Sequence, residues 1–328
     1  MSKDGPCLFD RFLSHQEVND YLESLVKNYS SRIEIFSSGT SYENRSILAV
    51  RISPDQQLSV SRFGKTDKSQ RMCVLIDAGI HAREWITISV ALYVIHQLVE
   101  RDAINWRCLK NFDWIVVPLL NPDGYQYSRE HNKMWRKTRR PLGVSKCFGV
   151  DCNRNFNVSW GIGTNRFCSL LYRGERPFSE LETQHLRDIF RKLRPNCRFY
   201  LTLHSFARSI LYPRAYSRTL PFNWKQQHDV AQAGVDAMHC ASGVKYRCGS
   251  ASSLLKIAVG GSSIDYAFDI EKVPLALAME VASKGFHPPE QNIAKICEES
   301  WVGIQAMVMK LATTSLPRSK FGRSRTAI

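Results

Sequence analysis

Residues 72–101 of the chain read MCVLIDAGIHAREWITISVALYVIHQLVER, and this stretch decides the fold. Its first six residues form a nearly continuous apolar run, which is typical of a strand covered on both faces of a sheet. A helical pattern follows at about 84–101. Further predicted helices lie at 14–30, 179–194, 224–241 and 290–311, and further predicted strands lie at 32–36, 47–52, 112–118, 198–204 and 273–280. Strands that alternate with helices in this way predict an α/β fold whose sheet has helices on both faces.

The composition is that of a folded globular chain. Hydrophobic residues make up 44% and charged residues 23% of the 328 positions, which excludes a disordered or fibrous protein. No apolar run approaches the roughly 20 residues that cross a bilayer, so no membrane span is expected. Residues 1–312 contain no linker or repeat, and we expect them to form one domain, followed by a loose basic tail at 313–328.

The formal net charge of +15 is compatible with nucleic acid, an anionic membrane or an acidic substrate as a partner. The densest basic run, KMWRKTRR at 133–140, has a solvated loop as its simpler interpretation. It contains no recognised docking motif, so we expect no nucleic-acid partner. The run belongs to a turn-rich stretch at 121–178, and stretches of that length are typically functional. Within this stretch, NPDG at 121–124 predicts a structural turn.

Histidine and glutamate side chains follow two of the predicted strands. His81 and Glu84 are three residues apart, where the chain leaves the strand at 72–77 and turns into a helix. Imidazole and carboxylate both bind zinc, although such a pair is also common as a surface histidine beside a helical glutamate. His204 ends the strand at 198–204, at the edge where α/β sheets bind ligands. Two histidines and one glutamate leave a fourth zinc position open, which is typical of a catalytic site.

Seven short motifs follow one another in an order that is highly specific. They are GIHAREWI at 79–86, NPDGY at 121–125, MWRK at 134–137, DCNRNF at 151–156, LHS at 203–205, GGSSID at 260–265, and Glu280. In these motifs, and over residues 9–311, the chain resembles the zinc carboxypeptidases of the A/B type. The resemblance implies a single globular α/β domain, with a mixed central β-sheet flanked by helices on both faces. It also implies hydrolysis of the C-terminal peptide bond of peptides or proteins.

The same resemblance implies which residues perform the chemistry. One Zn²⁺ per chain would be bound by His81, Glu84 and His204. Glu280 would act as the general base that takes a proton from the attacking water. Arg136 has the family position that stabilises the oxyanion, where a fixed positive charge faces developing negative charge.

Substrate contacts are implied in the same way. Asn153 and Arg154 match the pair that holds the terminal carboxylate, a task that suits arginine because its fork donates two parallel hydrogen bonds. Arg83 resembles the family residue for the preceding substrate carbonyl, with a contact to Glu84 as the alternative.

One part of the family pattern is missing. The family carries a tyrosine on a mobile loop that closes over the substrate, whereas the corresponding residues 254–261 read LLKIAVGG. Lys256 is the best match for it, and a shift in register would put Ile257 there instead. The loss leaves a catalytically weakened or inactive peptide-binding relative as the alternative function. Ile264 has the position that sets side-chain preference, and an apolar residue there predicts the A-type preference for aliphatic or aromatic C-terminal residues.

The cysteines and the family habit indicate the surroundings of the protein. Cys147 and Cys168 match the family disulfide, and Cys240 and Cys248 are close enough in sequence to form a second one. The first residues carry no apolar signal segment. Because family members are commonly secreted with an inhibitory prosegment, we expect an extracellular monomer. Its partners would be peptide substrates and a prosegment or protein inhibitor.

Overall fold

The computed structural model describes residues 8–54, 71–143, 146–282 and 285–314. The strands are β1 Ile33–Thr40, β2 Ser46–Ile52, β3 Met72–Asp77, β4 Phe112–Val117, β5 Cys197–Ser205, β6 Ser209–Tyr212, β7 Arg247–Ser250 and β8 Leu275–Val281. The helices are α1 His15–Asn28, α2 Trp85–Val99, α3 Asp102–Leu109, α4 Pro122–Glu130, α5 Leu181–Leu193, α6 Trp224–Ser242, α7 Ala251–Leu255, α8 Ser263–Asp265 and α9 Ile293–Thr313. The basic tail predicted at 313–328 lies outside the described residues beyond position 314.

The sheet is mixed, with the strand order β1-β2-β4-β3-β5-β8-β6-β7. Its four central strands, β4, β3, β5 and β8, run parallel to one another. On either side of them β2 pairs with β4, and β6 pairs with β8, in the antiparallel sense. Parallel strands need crossover connections, which here carry helices onto both faces of the sheet. The predicted α/β fold with a mixed sheet and two helical layers is confirmed.

Two apolar layers hold the helices against this sheet. On one face α9 packs against both α2 and α6, over strand side chains such as Val74 and Leu203. On the other face Phe190 of α5 packs edge-on against Tyr200 of β5, with 4.9 Å between the ring centroids. Neighbouring residues of β3 therefore enter opposite layers, which explains why that strand is apolar at almost every position.

Residues 121–124 begin helix α4 and do not form a free-standing turn. The side-chain Oδ1 of Asn121 accepts the backbone N–H of Gly124 at 3.0 Å, which caps the helix. Pro122 occupies the start of the helix, where its missing N–H would have had no helical partner. The turn prediction was wrong because asparagine and proline are equally typical of a turn and of a helix start.

Strands β6 and β7 and helix α3 were not predicted. Each of the two strands has only four residues, which is too short to display a repeating hydrophobic pattern. Both strands extend the sheet beyond β8, and all four residues of β6 are buried. The place of β6 is therefore decided by its pairing with β8, and that of β7 by its pairing with β6.

One of the two cysteine pairings is confirmed and the other is wrong. Cys147 and Cys168 form a disulfide with 5.2 Å between their Cα atoms. Cys240 and Cys248 are both free thiols. The thiol of Cys248 instead donates to the side-chain oxygen of Gln232 at 3.1 Å. Closeness in sequence did not bring the second pair together.

Two buried glutamates at the start of α5 differ in the hydrogen bonds that their carboxylates accept. Glu180 accepts hydrogen bonds from Thr138 at 2.7 Å and from Arg140 at 3.0 Å. Glu182 is also buried, and one of its carboxylate oxygens has no partner among the described residues. Burial and the neighbouring Glu180 raise the pKa of Glu182 from 4.5 to about 8. The folded protein therefore favours the protonated form of Glu182.

We predict that Glu182→Gln stabilises the protein more at pH 8.5 than at pH 5. The raised pKa means that ionisation favours the unfolded chain as the pH rises from about 4.5 toward 8, and glutamine removes this loss. The gain in unfolding free energy should differ by at least about 1 kcal/mol between the two pH values. Denaturant titrations of wild type and variant measure it, with the exposed Glu23→Gln as the control. An equal gain at both pH values would contradict the prediction.

Candidate metal centre and active site

The predicted site residues gather where three parallel strands end. His81 follows β3, His204 lies near the end of β5, and Glu280 lies near the end of β8. His204 and Glu280 are direct partners in the register of these two strands. The carboxyl ends of parallel strands meet at one edge of the sheet, so residues far apart in sequence converge there.

His81, Glu84 and His204 lie within bonding distance of one another and are each 3% exposed. The Nδ1 atom of His81 is 2.8 Å from Oε1 of Glu84 and 3.1 Å from Nδ1 of His204. The same nitrogen of His204 is 3.2 Å from Oε2 of Glu84. Two imidazole nitrogens and a carboxylate thus face one point, and the three ligand atoms form a group that could hold a metal ion.

The outer nitrogens of both imidazoles are held by other side chains. Nε2 of His81 is 3.2 Å from Oδ1 of Asp151, and Nε2 of His204 is 3.2 Å from Oγ1 of Thr202. Such contacts leave both Nδ1 atoms directed at the shared point, as in zinc sites where the second ring nitrogen is hydrogen-bonded. Two imidazoles and one carboxylate are a donor set that suits Zn²⁺ with a position left open. The residues present therefore fit the metal that the sequence predicted.

Asp151 connects His81, one of the candidate metal ligands, to Arg136. Its Oδ2 accepts from Nε of Arg136 at 2.9 Å, while its Oδ1 faces His81 and also accepts the backbone N–H of Asn153 at 3.0 Å. Although burial opposes ionisation, Arg136 and His81 hold the pKa of Asp151 well below its ordinary value. Asp151 belongs to the motif at 151–156, but no role was predicted for it. Its position two residues before Asn153 was the available signal.

The charges around the metal group shift each other's pKa values. Burial alone would raise the pKa of Glu84, but the two histidines hold it below its ordinary value. Burial and Arg136 lower the pKa of His81. Burial also lowers the pKa of His204, but the hydrogen bond to Glu84 and the charges of Glu84, Glu280 and Asp77 together raise it above its ordinary value. Burial and the nearby Glu84 raise the pKa of Glu280 to about 7, against the opposing effect of His204. A carboxyl group with a pKa near 7 can both accept and release a proton at neutral pH.

A cavity of about 380 Å³ joins most of the predicted residues. Its lining includes His81, Arg83, Glu84, Arg136, Asn153, Arg154, His204, Ile264 and Glu280. Arg136 is only 9% exposed, and its neighbour Lys137 is also buried and donates to the carbonyl of Phe167 at 3.0 Å. The interpretation of residues 133–140 as a solvated loop was therefore wrong for the middle of that run.

Two loops fix the arginine and asparagine that were predicted to hold a carboxylate. The side-chain oxygen of Asn153 accepts the backbone N–H of Ser263 at 2.9 Å, and Arg154 donates to the carbonyl of Asn153 at 2.8 Å. Gly261 has a φ of +72°, and a Cβ atom there would lie 2.1 Å from the carbonyl oxygen of Arg154. Only glycine permits this close approach, which explains the paired glycines of the motif.

The cavity also has an apolar wall, of which Ile264 is part. Ile264, Val259, Leu211 and Ala278 all line it. The adjacent carboxylate of Asp265 is occupied elsewhere, because both of its oxygens accept the backbone N–H of Ala215 at 3.0 Å. Among the described lining residues, the carboxylates are those of Glu84 and Glu280.

Arg83 packs against an aromatic pair at the edge of this cavity. Its guanidinium carbon is 4.1 Å from the ring centroid of Phe286, and that ring packs edge-on against Phe206 at 4.9 Å. Phe206 and Phe286 were not identified in the sequence, and isolated phenylalanines give no signal there. The contact with Phe286 is the one that positions Arg83 on the cavity wall.

The structure places Ile257, and not Lys256, on the cavity. Ile257 and its neighbour Leu255 line the cavity, whereas the Lys256 side chain is exposed. The backbone of Lys256 is left-handed, with φ of 59°, directly after helix α7. This turn directs the next residue to the cavity, so the shifted register describes the loop better than the Lys256 match.

We predict that Asp151→Asn weakens zinc binding by about 10- to 100-fold, because the variant removes the charge that orients His81. Competition with a chromophoric chelator measures the affinity. Asp269→Asn is the matched control, because its carboxylate binds Arg214 and Tyr216 and none of these three residues lines the cavity. Equal affinities for the two variants would show that Asp151 does not support the metal ligands.

Among the described residues, no helix combines the length and apolar character that a membrane span requires.

The sequence profile of the zinc carboxypeptidases matches residues 18–303. Carboxypeptidase B of Astacus astacus is 33% identical, over 89% of this chain and 94% of its own length. Carboxypeptidase A2 of Rattus norvegicus is 31% identical, over 93% of this chain and 72% of its own length.

Solved structures agree with these relatives. Carboxypeptidase A from Helicoverpa armigera superposes with a TM-score of 0.86 at 30% identity, covering 95% of this chain and 78% of the other. Bovine thrombin-activatable fibrinolysis inhibitor, in complex with a tick carboxypeptidase inhibitor, superposes with a TM-score of 0.84 at 27% identity and covers 93% and 99%. Relatives named as A and B types are thus similarly distant. The chain belongs to the zinc carboxypeptidase family and is a metallocarboxypeptidase, a class of peptide hydrolase.

Proposed function

We propose that this protein is a zinc-dependent exopeptidase that hydrolyses the C-terminal peptide bond of peptides or proteins, with a preference for aliphatic or aromatic C-terminal residues. The observation that carries the proposal is one cavity that contains the metal group, Glu280 and Arg154 together. A general base beside a metal site suits hydrolysis, and a half-buried arginine suits capture of a chain-terminal carboxylate.

Substrate binding would begin with the free carboxylate of the peptide. Arg154 and Asn153 offer it a guanidinium and an amide on a loop that Ser263 and Gly261 hold in place. The C-terminal side chain then enters the apolar part of the cavity, toward Ile264. Because Lys256 does not line the cavity, we assign the carboxylate to Asn153 and Arg154 and give Lys256 no part in holding it.

The reaction would depend on His81, Glu84 and His204 as zinc ligands. Bound zinc supplies Lewis acidity, which polarises a carbonyl and brings the pKa of a water molecule from about 15.7 toward about 7. Glu280 would take the proton from the attacking water and deliver it to the leaving amine nitrogen. Arg136, held in place by Asp151, would face the negative charge that develops on the carbonyl oxygen.

We predict that the wild type cleaves N-blocked dipeptides ending in Phe or Leu faster than those ending in Lys or Glu, and that a chelator abolishes all cleavage.

Glu280→Gln should lower kcat by about 10²- to 10⁴-fold while the zinc content stays the same, because only the proton transfer is lost. The exposed Glu298→Gln is the control. Full activity of Glu280→Gln would contradict the proposed base.

We predict that Ile264→Asp shifts the ratio of kcat/KM for Phe-ended over Lys-ended substrates toward lysine by about 10- to 200-fold. The new carboxylate would stabilise a cationic side chain and leave an apolar one facing a buried charge. Ile264→Val, which keeps the wall apolar, should leave the ratio within a few-fold. An unchanged ratio in Ile264→Asp would show that this residue does not select the side chain.

The alternative is a weakened or inactive relative that binds peptides. Ile257 favours this alternative, because an alkyl side chain on the cavity wall cannot donate a hydrogen bond to a substrate. Peptide binding and full zinc occupancy without any cleavage in the dipeptide panel would establish this alternative.

We further propose that the protein acts as an extracellular monomer with one zinc per chain. The Cys147–Cys168 disulfide supports an oxidising compartment. Its further partner would be a protein inhibitor or prosegment, and the bovine relative is in complex with a carboxypeptidase inhibitor.

A further inference from the structure

A second cavity is lined by residues that are close in sequence to those of the active site but are not shared with it. Its volume is about 460 Å³, within the range of roughly 300–1,000 Å³ that small-ligand sites occupy. Phe286 lines the active-site cavity, and Pro288, only two residues further on, lines the second. The second cavity is therefore a separate space with its own chemistry.

Arg208 is the polar side chain on which this cavity depends. Its backbone is fixed, because its N–H donates to the carbonyl of Ala282 at 3.2 Å and its carbonyl accepts from Arg247 at 3.1 Å. Its Nε atom is buried and has no hydrogen-bond partner in the described part of the chain. Arg208 itself is half-buried and lines the cavity, so its incompletely paired guanidinium leaves a positive charge there for an anion.

The other charged groups leave a positive balance. Lys295 lies on the first turn of α9 and lines the same cavity, as does one carboxylate, that of Glu299. One oxygen of Glu299 is already occupied, because it accepts the phenolic O–H of Tyr246 at 2.8 Å. Among the described lining residues, two cations therefore accompany one partly satisfied carboxylate, and this balance favours an anion.

Apart from the amide of Asn292, the other described lining residues are apolar. Val244, Pro288 and Ile296 contribute alkyl surface beside the cationic end. A small inorganic anion would leave this surface in contact with water. A ligand with a carboxylate at one end and an alkyl body at the other would match both parts, with the arginine fork meeting the carboxylate.

We propose that this cavity binds a carboxylate carried on an apolar body of about the size of one or two amino acids, with Arg208 as its main partner and Lys295 as a second charge. Two sources share this chemistry: a free acylated amino acid, and an acidic side chain within a peptide. The proposal does not rest on the peptidase function, because none of the residues involved lines the active-site cavity.

Equilibrium dialysis with labelled N-acetyl-L-leucine tests the proposal on the full chain. The background is Arg154→Gln, which removes the proposed carboxylate site of the active centre. We expect one remaining site, and a weakening of roughly tenfold or more when Arg208→Gln is added, the change typical of losing a hydrogen bond to a charged group. If Arg154→Gln itself changes nothing, the active-site proposal fails while the Arg208 result still stands.

Matched controls separate recognition from general charge and from misfolding. Lys245→Gln with Arg247→Gln removes two exposed charges next to the cavity and should leave binding unchanged. Arg208→Lys should retain part of the affinity, and N-acetyl-L-leucinamide, which has no carboxylate, should not bind. Equal weakening by Arg208→Gln and the Lys245/Arg247 control, at similar melting temperatures, would overturn the proposal.

A second probe distinguishes the two sources. Acetyl-Leu-Glu-Leu-amide carries its only carboxylate on an internal side chain. Arg208-dependent binding of this peptide assigns the site to acidic side chains of peptides, and Arg208-dependent binding of N-acetyl-L-leucine alone assigns it to a free ligand. Binding of neither probe would overturn the proposal.

Discussion

The structure depends on the meeting of two imidazole nitrogens and one carboxylate at a buried point. The closest contacts between them are 2.8–3.2 Å, and all three side chains are almost fully shielded from solvent. Buried polar groups at such distances need a shared proton or a shared cation, because two lone pairs facing each other repel. A divalent ion with three protein ligands resolves this repulsion and leaves a place for reacting groups.

Several features of the fold bring these side chains together. Parallel β3, β5 and β8 end at the same edge of the sheet, which brings His81, His204 and Glu280 together. Asp151 then fixes His81 and Arg136 with its two oxygens. The Asp151 carboxylate therefore sets the distance between His81 and Arg136. Displacing either partner would affect the other.

Much of this could be predicted from the sequence, because the signals were local. A strand followed by H-x-x-E and a second strand followed by His204 placed the ligands at strand ends, where the structure has them. Contacts that join distant segments gave no such signal. The dual hydrogen bonding of Asp151 and the cavity around Arg208 depend on residues from separate elements. The start of α4 was missed for another reason, since Asn121 and Pro122 have the same local preferences in a turn and in a helix cap.

The loop from 254 to 264 is held by close contacts at its end and is exposed at its start. Gly261 packs on the backbone of Arg154 so closely that a Cβ atom would meet a carbonyl, and Asn153 binds Ser263. These contacts tie Ile264 to the carboxylate-binding loop and leave little freedom at that end. Leu255, Lys256 and Ile257 are exposed. Exposed positions tolerate changes of residue type with little loss of stability. The rim of the cavity therefore tolerates substitution more readily than the buried group of His81, Glu84 and His204.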